Sequence, residues 1–271
     1  MKTKHKILFA KIIFLIISNF IKKNIKVVRN NISWNLDLSQ GIDLSIYIFE
    51  KFEFEIVKAI SKNKLSQKPV FFDIGANIGV QTLQLCNNFK NSTVHSFEPT
   101  NYAYNKLSNN IFLNPQLKKR IILNQAFLTN KKNFLPKKIY SSWSLLNEKN
   151  VHKKHLGSLK TTNGASFFKL DNYITKYKIK KIDFIKLDVD GYELDVLKSG
   201  YKFLKKNRTP IIFEVAPYLY KEHNYSQSDL VSLFVELKYS FYNINNLKKV
   251  KNIEKYISSI SDGESATLIA K

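Results

Sequence analysis

Acidic side chains end three predicted strands, and their spacing is the first sign of chemistry in this chain. Asp73 follows the apolar residues of one strand, Asp188 ends a second and Glu214 a third, and Asp190 and Glu193 lie in the turn after Asp188. Because the carboxyl ends of parallel strands meet at one edge of an open α/β sheet, we expect these acids to converge on one cleft. Converging carboxylates repel one another, so at least one should titrate above its usual pKa unless a lysine or a metal ion compensates. Such a group can accept the proton of a hydroxyl whose oxygen attacks an electrophile. The alternative is that these acids only cap turns and helices, and for Glu193 both interpretations stay open.

A glycine-rich turn predicts a nucleotide-like ligand in the same cleft. Residues 70–79, Val-Phe-Phe-Asp-Ile-Gly-Ala-Asn-Ile-Gly, combine a short apolar strand with a turn that leads into a helix. Gly75 can adopt backbone angles closed to other residues, and Gly79 lets the helix pack closely. The dinucleotide pattern G-x-G-x-x-G is not met, because Asn77 takes the place of the second glycine, and the Gly-Lys-Ser/Thr ending of a P-loop is absent.

Glu98 ends the next predicted strand, Thr93–Glu98. A carboxylate about 20 residues after such glycines can accept hydrogen bonds from ribose hydroxyls. The turn and this acid together suit an adenosine-type cofactor with an amino-acid tail. A methyltransferase and a nicotinamide-dependent enzyme both remain open here, because a glycine turn alone is a weak signal.

The elements that position these residues alternate between strands and helices from Val70 onward. This alternation predicts a doubly wound, mostly parallel α/β sheet with ligands at the carboxyl ends of its strands. The length of 271 residues suits one large domain. We therefore predict an N-terminal extension of residues 1–69 and a cofactor-binding domain of residues 70–271.

Two segments outside the regular alternation are candidates to shape an acceptor pocket. In the extension, Asp43–Phe49 alternates like a strand and Phe52–Ile60 has a helical pattern, in which Glu53 is predicted to be a solvated charge. Residues 126–167 are irregular, and loops of that length in compact domains are functional or disordered. Trp143 within them could equally be a core residue or a wall of the substrate cleft.

Composition limits the classes of partner and of metal site. The 44 Lys and Arg residues against 21 Asp and Glu give a net charge of +23, but the excess is nearly all scattered lysine without an arginine cluster or base-stacking aromatics. We therefore predict no nucleic-acid partner. The single cysteine, Cys86, excludes an internal disulfide and a cysteine-based metal site and fits a reducing compartment. His152 and His155 lack a third ligand in the sequence pattern, so we predict that they are solvated and we assign no metal ligands. Whether a divalent ion joins the clustered carboxylates is left open.

The N-terminal 30 residues combine lysines with an apolar stretch. Its longest uncharged piece, Ile12–Ile21, is shorter than the roughly 20 residues that cross a bilayer, and no secretory cleavage site follows it. Five large apolar residues fall on one helical face: Leu8, Ile12, Leu15, Ile16 and Phe20. A helix packed on the domain is the preferred interpretation, and a basic amphipathic helix on anionic lipid, contacting a membrane through residues 1–25, is the alternative.

Three motifs together resemble the FkbM family of S-adenosylmethionine-dependent methyltransferases. They are Asp-Ile-Gly-Ala-Asn-Ile-Gly at 73–79, Phe-Glu-Pro at 97–99, and Ile-Lys-Leu-Asp-Val-Asp-Gly-Tyr-Glu at 185–193. The resemblance covers about residues 70–215. It implies the class I methyltransferase fold, a Rossmann-like seven-stranded sheet whose last strand is antiparallel, and Ala266–Ile269 suits that strand.

The resemblance also implies roles for individual residues. Asp73, Gly75, Asn77 and Gly79 would line the methionine side of S-adenosylmethionine, Glu98 would hold the ribose, and Ala126 would meet the adenine. The family's Asp-Val-Glu-Gly turn is Asp-Val-Asp-Gly at 188–191 in this chain, so Asp190 is one methylene shorter than the family's acid. Asp188 or Asp190 would orient or deprotonate the acceptor hydroxyl, and Glu214 is the third candidate catalytic acid.

The function predicted is O-methylation of a hydroxyl of a sugar, a glycan or a related natural product, in the cytoplasm or at the inner face of the membrane. One alternative is a membrane-peripheral protein that binds the cofactor without catalysis. A nucleic-acid methyltransferase is a further alternative, but the Asn/Asp-Pro-Pro-aromatic turn is absent after Asp188. The acceptor and the oligomeric state are left open.

Overall fold

A computed structural model describes residues 3–146 and 148–271. The helices are α1 Thr3–Ile17, α2 Gly41–Ile48, α3 Glu55–Ser61, α4 Val80–Asn88, α5 Asn101–Phe112, α6 Pro115–Lys118, α7 Leu170–Lys176, α8 Glu193–Ser199, α9 Tyr201–Asn207, α10 Pro217–Tyr220, α11 Gln227–Glu236 and α12 Ile253–Ser258, with a 3₁₀ turn at Lys221–His223. The strands are β1 Asn24–Arg29, β2 Ile32–Asp37, β3 Val70–Ile74, β4 Thr93–Phe97, β5 Ile121–Asn124, β6 Ala126–Leu128, β7 Lys138–Ser141, β8 Ser158–Thr161, β9 Ser166–Phe168, β10 Phe184–Leu187, β11 Ile211–Val215, β12 Phe241–Asn243 and β13 Ala266–Ala270.

Seven strands form the central sheet in the order β12-β13-β11-β10-β3-β4-β5. Strand β13 pairs antiparallel with both β11 and β12, whereas the pairs from β11 to β5 are parallel. The predicted class I methyltransferase sheet, Rossmann-like with a late antiparallel strand, is therefore confirmed. Smaller two-stranded sheets pair β1 with β2, β6 with β9 and β7 with β8.

Both faces of the central sheet are covered, which explains why its strands are apolar throughout. Phe71 and Phe72 are adjacent in β3 and fully buried, yet they belong to different hydrophobic clusters on opposite faces. Successive side chains of a strand point to opposite faces, so a strand buried on both sides needs apolar residues at every position.

The extension packs on one of these faces. Trp34, Leu44 and Ile46 are buried in the same cluster as Phe71 and Leu83 of the sheet and helix α4. The boundary between residues 69 and 70 stays a prediction. Within the described residues, no helix is long and apolar enough to cross a membrane.

One predicted element in the extension is wrong, because the segment predicted as a strand from Asp43 to Phe49 forms helix α2. Asp43, Leu44 and Ile46 are all buried, and consecutive buried positions are not the alternating pattern of a half-buried strand. The Asp43 carboxylate accepts a hydrogen bond from the Asp37 N–H at 2.7 Å and pairs with Lys106. A short apolar alternation cannot separate strand from helix when a buried charge occupies one of the inward positions.

Candidate active site

A cavity of about 510 Å³ lies where β3, β4, β10 and β11 end, the usual place for ligands in such a sheet. Most of the predicted site residues line it: Gly75, Asn77, Glu98, Ala126, Asp188, Asp190 and Glu214. Asp73 and Gly79 are not among the lining residues. The predicted acids therefore share one cleft with the glycine turn, with Asp73 behind its surface.

The glycine turn is shaped by close backbone contacts. Gly75 has φ +79°, and its N–H donates to the Phe97 carbonyl at 3.0 Å. A Cβ at this position would lie 1.8 Å from the carbonyl oxygen of Asp188, so the chain after β3 can lie this close to the chain after β10 only with glycine here. Asn77, with φ +48°, adopts the left-handed conformation that asparagine tolerates better than most residues.

Gly79 is the last residue of the same turn. It has φ +99° and precedes helix α4, and a Cβ there would lie 2.5 Å from a methyl group of Leu107. The glycine therefore allows helix α5, which carries Leu107, to pack against the start of α4.

Glu98 is buried, and its carboxylate is fixed by the protein before any ligand arrives. One oxygen accepts from the Thr100 N–H at 2.8 Å and from the Thr100 hydroxyl at 2.6 Å. The other accepts from the Asn77 N–H at 3.0 Å. Burial raises the pKa of Glu98, although these three donors oppose the rise. A preorganised carboxylate at the cavity wall can accept further hydrogen bonds from vicinal hydroxyls.

The buried acid Asp73 supports the site from within the core. Its carboxylate accepts from the Thr82 hydroxyl at 2.6 Å and lies 3.7 Å from the Lys186 ammonium. Burial raises the pKa of Asp73, and Lys186 opposes the rise. Because the side chain has no exposed surface, it acts through Lys186 and the turn.

Lys186 on β10 is the lysine that the clustered acids require. Its ammonium donates to the Gly75 carbonyl at 2.7 Å and lies 3.2 Å from the Asp188 carboxylate. Burial lowers the pKa of Lys186, but the charges of Asp188, Asp73 and Glu53 outweigh burial, so the pKa lies above its usual value. This side chain therefore ties the glycine turn to the acid that follows β10.

The three candidate catalytic acids face the cavity in different environments. The side chain of Asp188 is 44% exposed. Burial, together with the neighbouring charge of Asp188, raises the pKa values of both Asp190 and Glu214 well above those of ordinary carboxyls. Asp190 also has φ +49°, a conformation that is costly for a residue other than glycine and that is concentrated at functional sites.

Glu193, for which two interpretations were open, is part of the turn's internal structure. It is buried and accepts hydrogen bonds from the Val189 N–H at 3.2 Å, the Gly191 N–H at 3.3 Å and the Tyr225 hydroxyl at 3.2 Å. Burial raises its pKa to about 7. It does not line the cavity, and its contacts hold the turn that carries Asp190.

Ala126 begins β6, which pairs in parallel with β9 beside the central sheet. It is buried at the cavity wall together with Phe127 and Leu128. A small side chain at this point leaves a flat apolar surface of the kind that an adenine ring can contact.

Glu53 is a cavity residue that the sequence interpretation missed. It lies in the turn before α3 with φ +52°, and the Gln81 side-chain amide donates to its carbonyl at 3.1 Å and to its carboxylate at 3.4 Å. The side chain reaches solvent through the cavity, but partial desolvation and the charge of Asp188 raise its pKa to about 7. No sequence motif marks it, because the extension folds over the cleft only in three dimensions.

The irregular segment supplies an aromatic wall. Trp143 lines the cavity, as do Tyr140 and His155, and the Trp143 carbonyl accepts from the Gly41 N–H at 2.7 Å. His152 and His155 are buried and stack with ring centroids 3.9 Å apart, so the prediction that they are solvated is wrong. The signal that could have indicated their burial is the return of regular strands, β7 and β8, on either side of them.

The described residues contain no group of three or more His, Cys, Asp or Glu side chains that could hold a metal ion. An adenosine cofactor with a cationic centre does fit the cavity. The buried Asn77 side-chain oxygen at its wall finds no hydrogen-bond partner among the described residues. The lining also carries several carboxylates against the single ammonium of Lys186 among its lysine and arginine residues.

Comparisons with known proteins agree with this geometry. A family model described as the methyltransferase FkbM domain matches residues 73–243. A curated relative, Methyltransferase sdnD of Sordaria araneosa, is 27% identical over 195 residues, which are 60% of this chain and 75% of the relative.

Two examples illustrate the solved structures to which this chain is similar. The methyltransferase FkbM of Methylobacillus flagellatus KT has 15% identity and a TM-score of 0.45, over 78% of this chain and 45% of that chain. Fibrillarin of Aeropyrum pernix, with natively bound S-adenosyl-L-methionine, has 6% identity and a TM-score of 0.47, over 93% and 84% of the two chains. Because both identities are under 25% and both TM-scores are under 0.5, no conclusion about this chain is drawn from these two structures.

The matched range contains the glycine turn, Glu98 and all three candidate catalytic acids. It covers more than half of the chain, and the motifs that indicated the family lie within it. The chain therefore belongs to the FkbM family of methyltransferases, enzymes that use S-adenosylmethionine.

Proposed function

We propose that this methyltransferase transfers the methyl group to a hydroxyl of a sugar, a glycan or a related natural product. The observation that carries the proposal is the shared cavity, in which the turn and Glu98 form one part of the wall and Asp188, Asp190 and Glu214 form another. Bound S-adenosylmethionine supplies an electrophilic methyl group on a positively charged sulfur. A hydroxyl needs a base near the point of attack, and the open carboxylate of Asp188 is suited to that role.

On the cofactor side, we assign direct contacts to Gly75, Asn77, Glu98 and Ala126. Glu98 would accept hydrogen bonds from the ribose hydroxyls, and Ala126 would lie against the adenine. Asp73 and Gly79, which do not line the cavity, would act by shaping the turn.

On the acceptor side, we assign proton acceptance to Asp188, with Asp190 and Glu214 orienting the acceptor. Lys186 holds Asp188 at 3.2 Å and fixes its direction. The raised pKa values of Asp190 and Glu214 favour their protonated forms, which can donate hydrogen bonds to acceptor oxygens. Glu53 and Trp143 would complete the acceptor pocket from the extension and the irregular segment.

Neutral sugar hydroxyls fit this pocket better than anionic groups. The Asp, Glu, Lys and Arg residues that line it are Glu53, Glu55, Glu98, Lys186, Asp188, Asp190 and Glu214, so the acids outnumber the one lysine even with Asp190 and Glu214 protonated. A phosphate or carboxylate on the acceptor would meet an excess of acids at short range, although the protein as a whole carries +23. The excess of acids in the cavity also argues against binding of a polynucleotide there, because its phosphates are negatively charged.

The test is methyl transfer from labelled S-adenosylmethionine to a panel of neutral saccharides, with matched uronic acids and sugar phosphates. Wild-type protein should methylate a neutral member, and Asp188→Asn should lose about 100-fold or more of the rate while binding S-adenosylhomocysteine normally in calorimetry. Full activity of Asp188→Asn would refute the role of this acid. Cofactor binding without transfer to any hydroxyl would favour the alternative of a protein that binds without catalysis.

A cytoplasmic location and association with the inner face of a membrane are separate proposals. They do not depend on the identity of the acceptor. The surface relevant to a membrane is on helix α1.

A further inference from the structure

Helix α1 has two apolar faces, and only one of them is covered. Ile7 and Phe14 are 6% and 7% exposed and belong to the hydrophobic cluster beneath the helix. Ala10, Ile13 and Ile17 pack against the same cluster. The helix therefore packs on the domain, but the preferred prediction is wrong about the face, because the residues predicted to share it, Leu8, Ile12, Leu15, Ile16 and Phe20, are not the ones that pack.

The opposite face is apolar and points to solvent. Its side chains are between 50% and 85% exposed, and they are Leu8, Phe9, Ile12, Leu15, Ile16 and, just after the helix, Phe20. At about 100° per residue these positions form one stripe, roughly opposite the packed one. Elsewhere, Phe112 on α5 and Val235 on α11 are each the one large apolar residue strongly exposed on their helix. A stripe of six such residues is the type of surface that marks an interaction site.

The chain segment that carries this stripe has charge of one sign. Before Asp37 the chain contains no acidic residue, and its basic residues are Lys2, Lys4, Lys6, Lys11, Lys22, Lys23, Lys26 and Arg29. An anionic surface is attracted by this segment, whereas a second copy of the chain would bring the same positive charge against it. Basic residues beside an exposed apolar helical stripe are the features of helices that lie in the headgroup region of a bilayer.

We propose that the exposed stripe of α1 docks on an anionic lipid bilayer, with the helix parallel to the membrane plane. The helix of 15 residues is about 22 Å long, enough to bury the whole stripe while the opposite face stays on the protein. Ile7 and Ala10 of the same helix line the cavity, so docking brings the cavity close to the lipid surface. This proposal does not rest on the identity of the methyl acceptor.

The experiment is co-sedimentation of the full chain with vesicles of phosphatidylcholine alone or of phosphatidylcholine with phosphatidylglycerol, at low and high salt. The test variant is Phe9→Glu with Leu15→Glu. The matched control is Phe112→Glu with Val235→Glu, which makes the same change of charge at exposed apolar residues on other helices. Circular dichroism and thermal melts check that both variants fold.

The wild type and the control should bind the anionic vesicles and prefer them to neutral ones, with binding that weakens as salt is raised. The test variant should bind roughly 10-fold or more weakly. Equal loss in both double variants would mean that charge alone drives binding, and equal binding of all three proteins would mean that the stripe is not used. Either result overturns the proposal.

Absence of wild-type binding to the anionic vesicles at low salt also overturns it. A dimer in analytical ultracentrifugation that the test variant alone dissociates, without vesicle binding, would assign the stripe to contact between copies instead.

Discussion

Replacing Lys186 by methionine should expose the cost of keeping Asp73 ionised inside the core. The ammonium and the carboxylate are 3.7 Å apart, and Asp73 is fully buried. At an effective dielectric constant of about 20, the lost attraction is about 4.5 kcal/mol. Asp73 can instead take up a proton in the folded state, which at pH 7 costs about 4 kcal/mol relative to the unfolded state, where this carboxyl has its ordinary pKa. The two estimates agree, so Lys186→Met should lower the free energy of unfolding by about 4 kcal/mol.

This deficit should depend on pH with a definite sign. In the variant, Asp73 is protonated in the folded state but ionised in the unfolded state above pH ~4, so the folded state binds one more proton. The stability of the variant relative to the wild type therefore decreases as the pH rises, by about 1.4 kcal/mol per unit. Urea unfolding at pH 5 and pH 8 measures the difference.

Two further variants make this prediction specific. Lys181→Met removes a 64% exposed lysine that lies 3.3 Å from Asp183, and it should change the stability by less than about 1 kcal/mol. Adding Asp73→Asn to Lys186→Met should recover at least about 2 kcal/mol at pH 8. If Lys186→Met lies within about 1 kcal/mol of the wild type at pH 8, or if Asp73→Asn recovers nothing, the ion pair does not stabilise the site as described.

Three other variants test separate parts of the structure. Glu193→Gln should become more stable relative to the wild type as the pH rises from 5 to 7, by on the order of 3 kcal/mol in urea unfolding, and this difference should then stay level to pH 9. Burial raises the pKa of Glu193 to about 7, so below that pH the unfolded state ionises while the folded wild type does not. A difference that does not change between pH 5 and pH 7 would contradict this. Gly75→Ala should lose about 3 kcal/mol or more of stability, because its Cβ would lie 1.8 Å from the carbonyl oxygen of Asp188. The control Gly263→Ala, also at positive φ but with no atom within 4 Å of the added Cβ, should lose only about 1 kcal/mol. Equal losses would refute the role of the close contact. Glu53 ionises near pH 7, and its negative charge should favour S-adenosylmethionine over S-adenosylhomocysteine, whose sulfur is uncharged. In calorimetry this preference should therefore grow as the pH rises through 7, and Glu53→Gln should weaken the increase. An unchanged increase in the variant would place Glu53 away from the sulfur.

The sequence was sufficient for the parallel sheet and for the acids at its edge. Buried parallel strands leave near-continuous apolar runs, and their carboxyl ends must share one side of the sheet. Glu98 and Asp188 were therefore predictable as neighbours of one cavity, although they are 90 positions apart in the chain. The capping box that Ser226 forms with Asp229 at the start of α11 is equally local, because it depends only on residues three apart.

The rest depended on contacts that no local pattern encodes. Glu53 had the pattern of a solvated helix charge, but the extension folds over the cleft, and Glu53 lines the same cavity as Lys186 and Asp188. Asp171 has a residue type that is common at helix N-termini and lies in the first turn of α7, but its carboxylate accepts hydrogen bonds from the N–H groups of Lys202 and Phe203 at the start of α9. In both cases the partner lies far away in the sequence, so side-chain type and spacing could not identify it.

The central claim is that one cavity holds the cofactor between Glu98 and Asp188. A crystal structure of the protein soaked with S-adenosylhomocysteine tests this most directly. The ribose hydroxyls should lie within hydrogen-bond distance of the Glu98 carboxylate, and the sulfur should lie on the side of the cavity that Asp188 lines. A ligand bound outside this cavity, or within it with the ribose away from Glu98, would contradict the account.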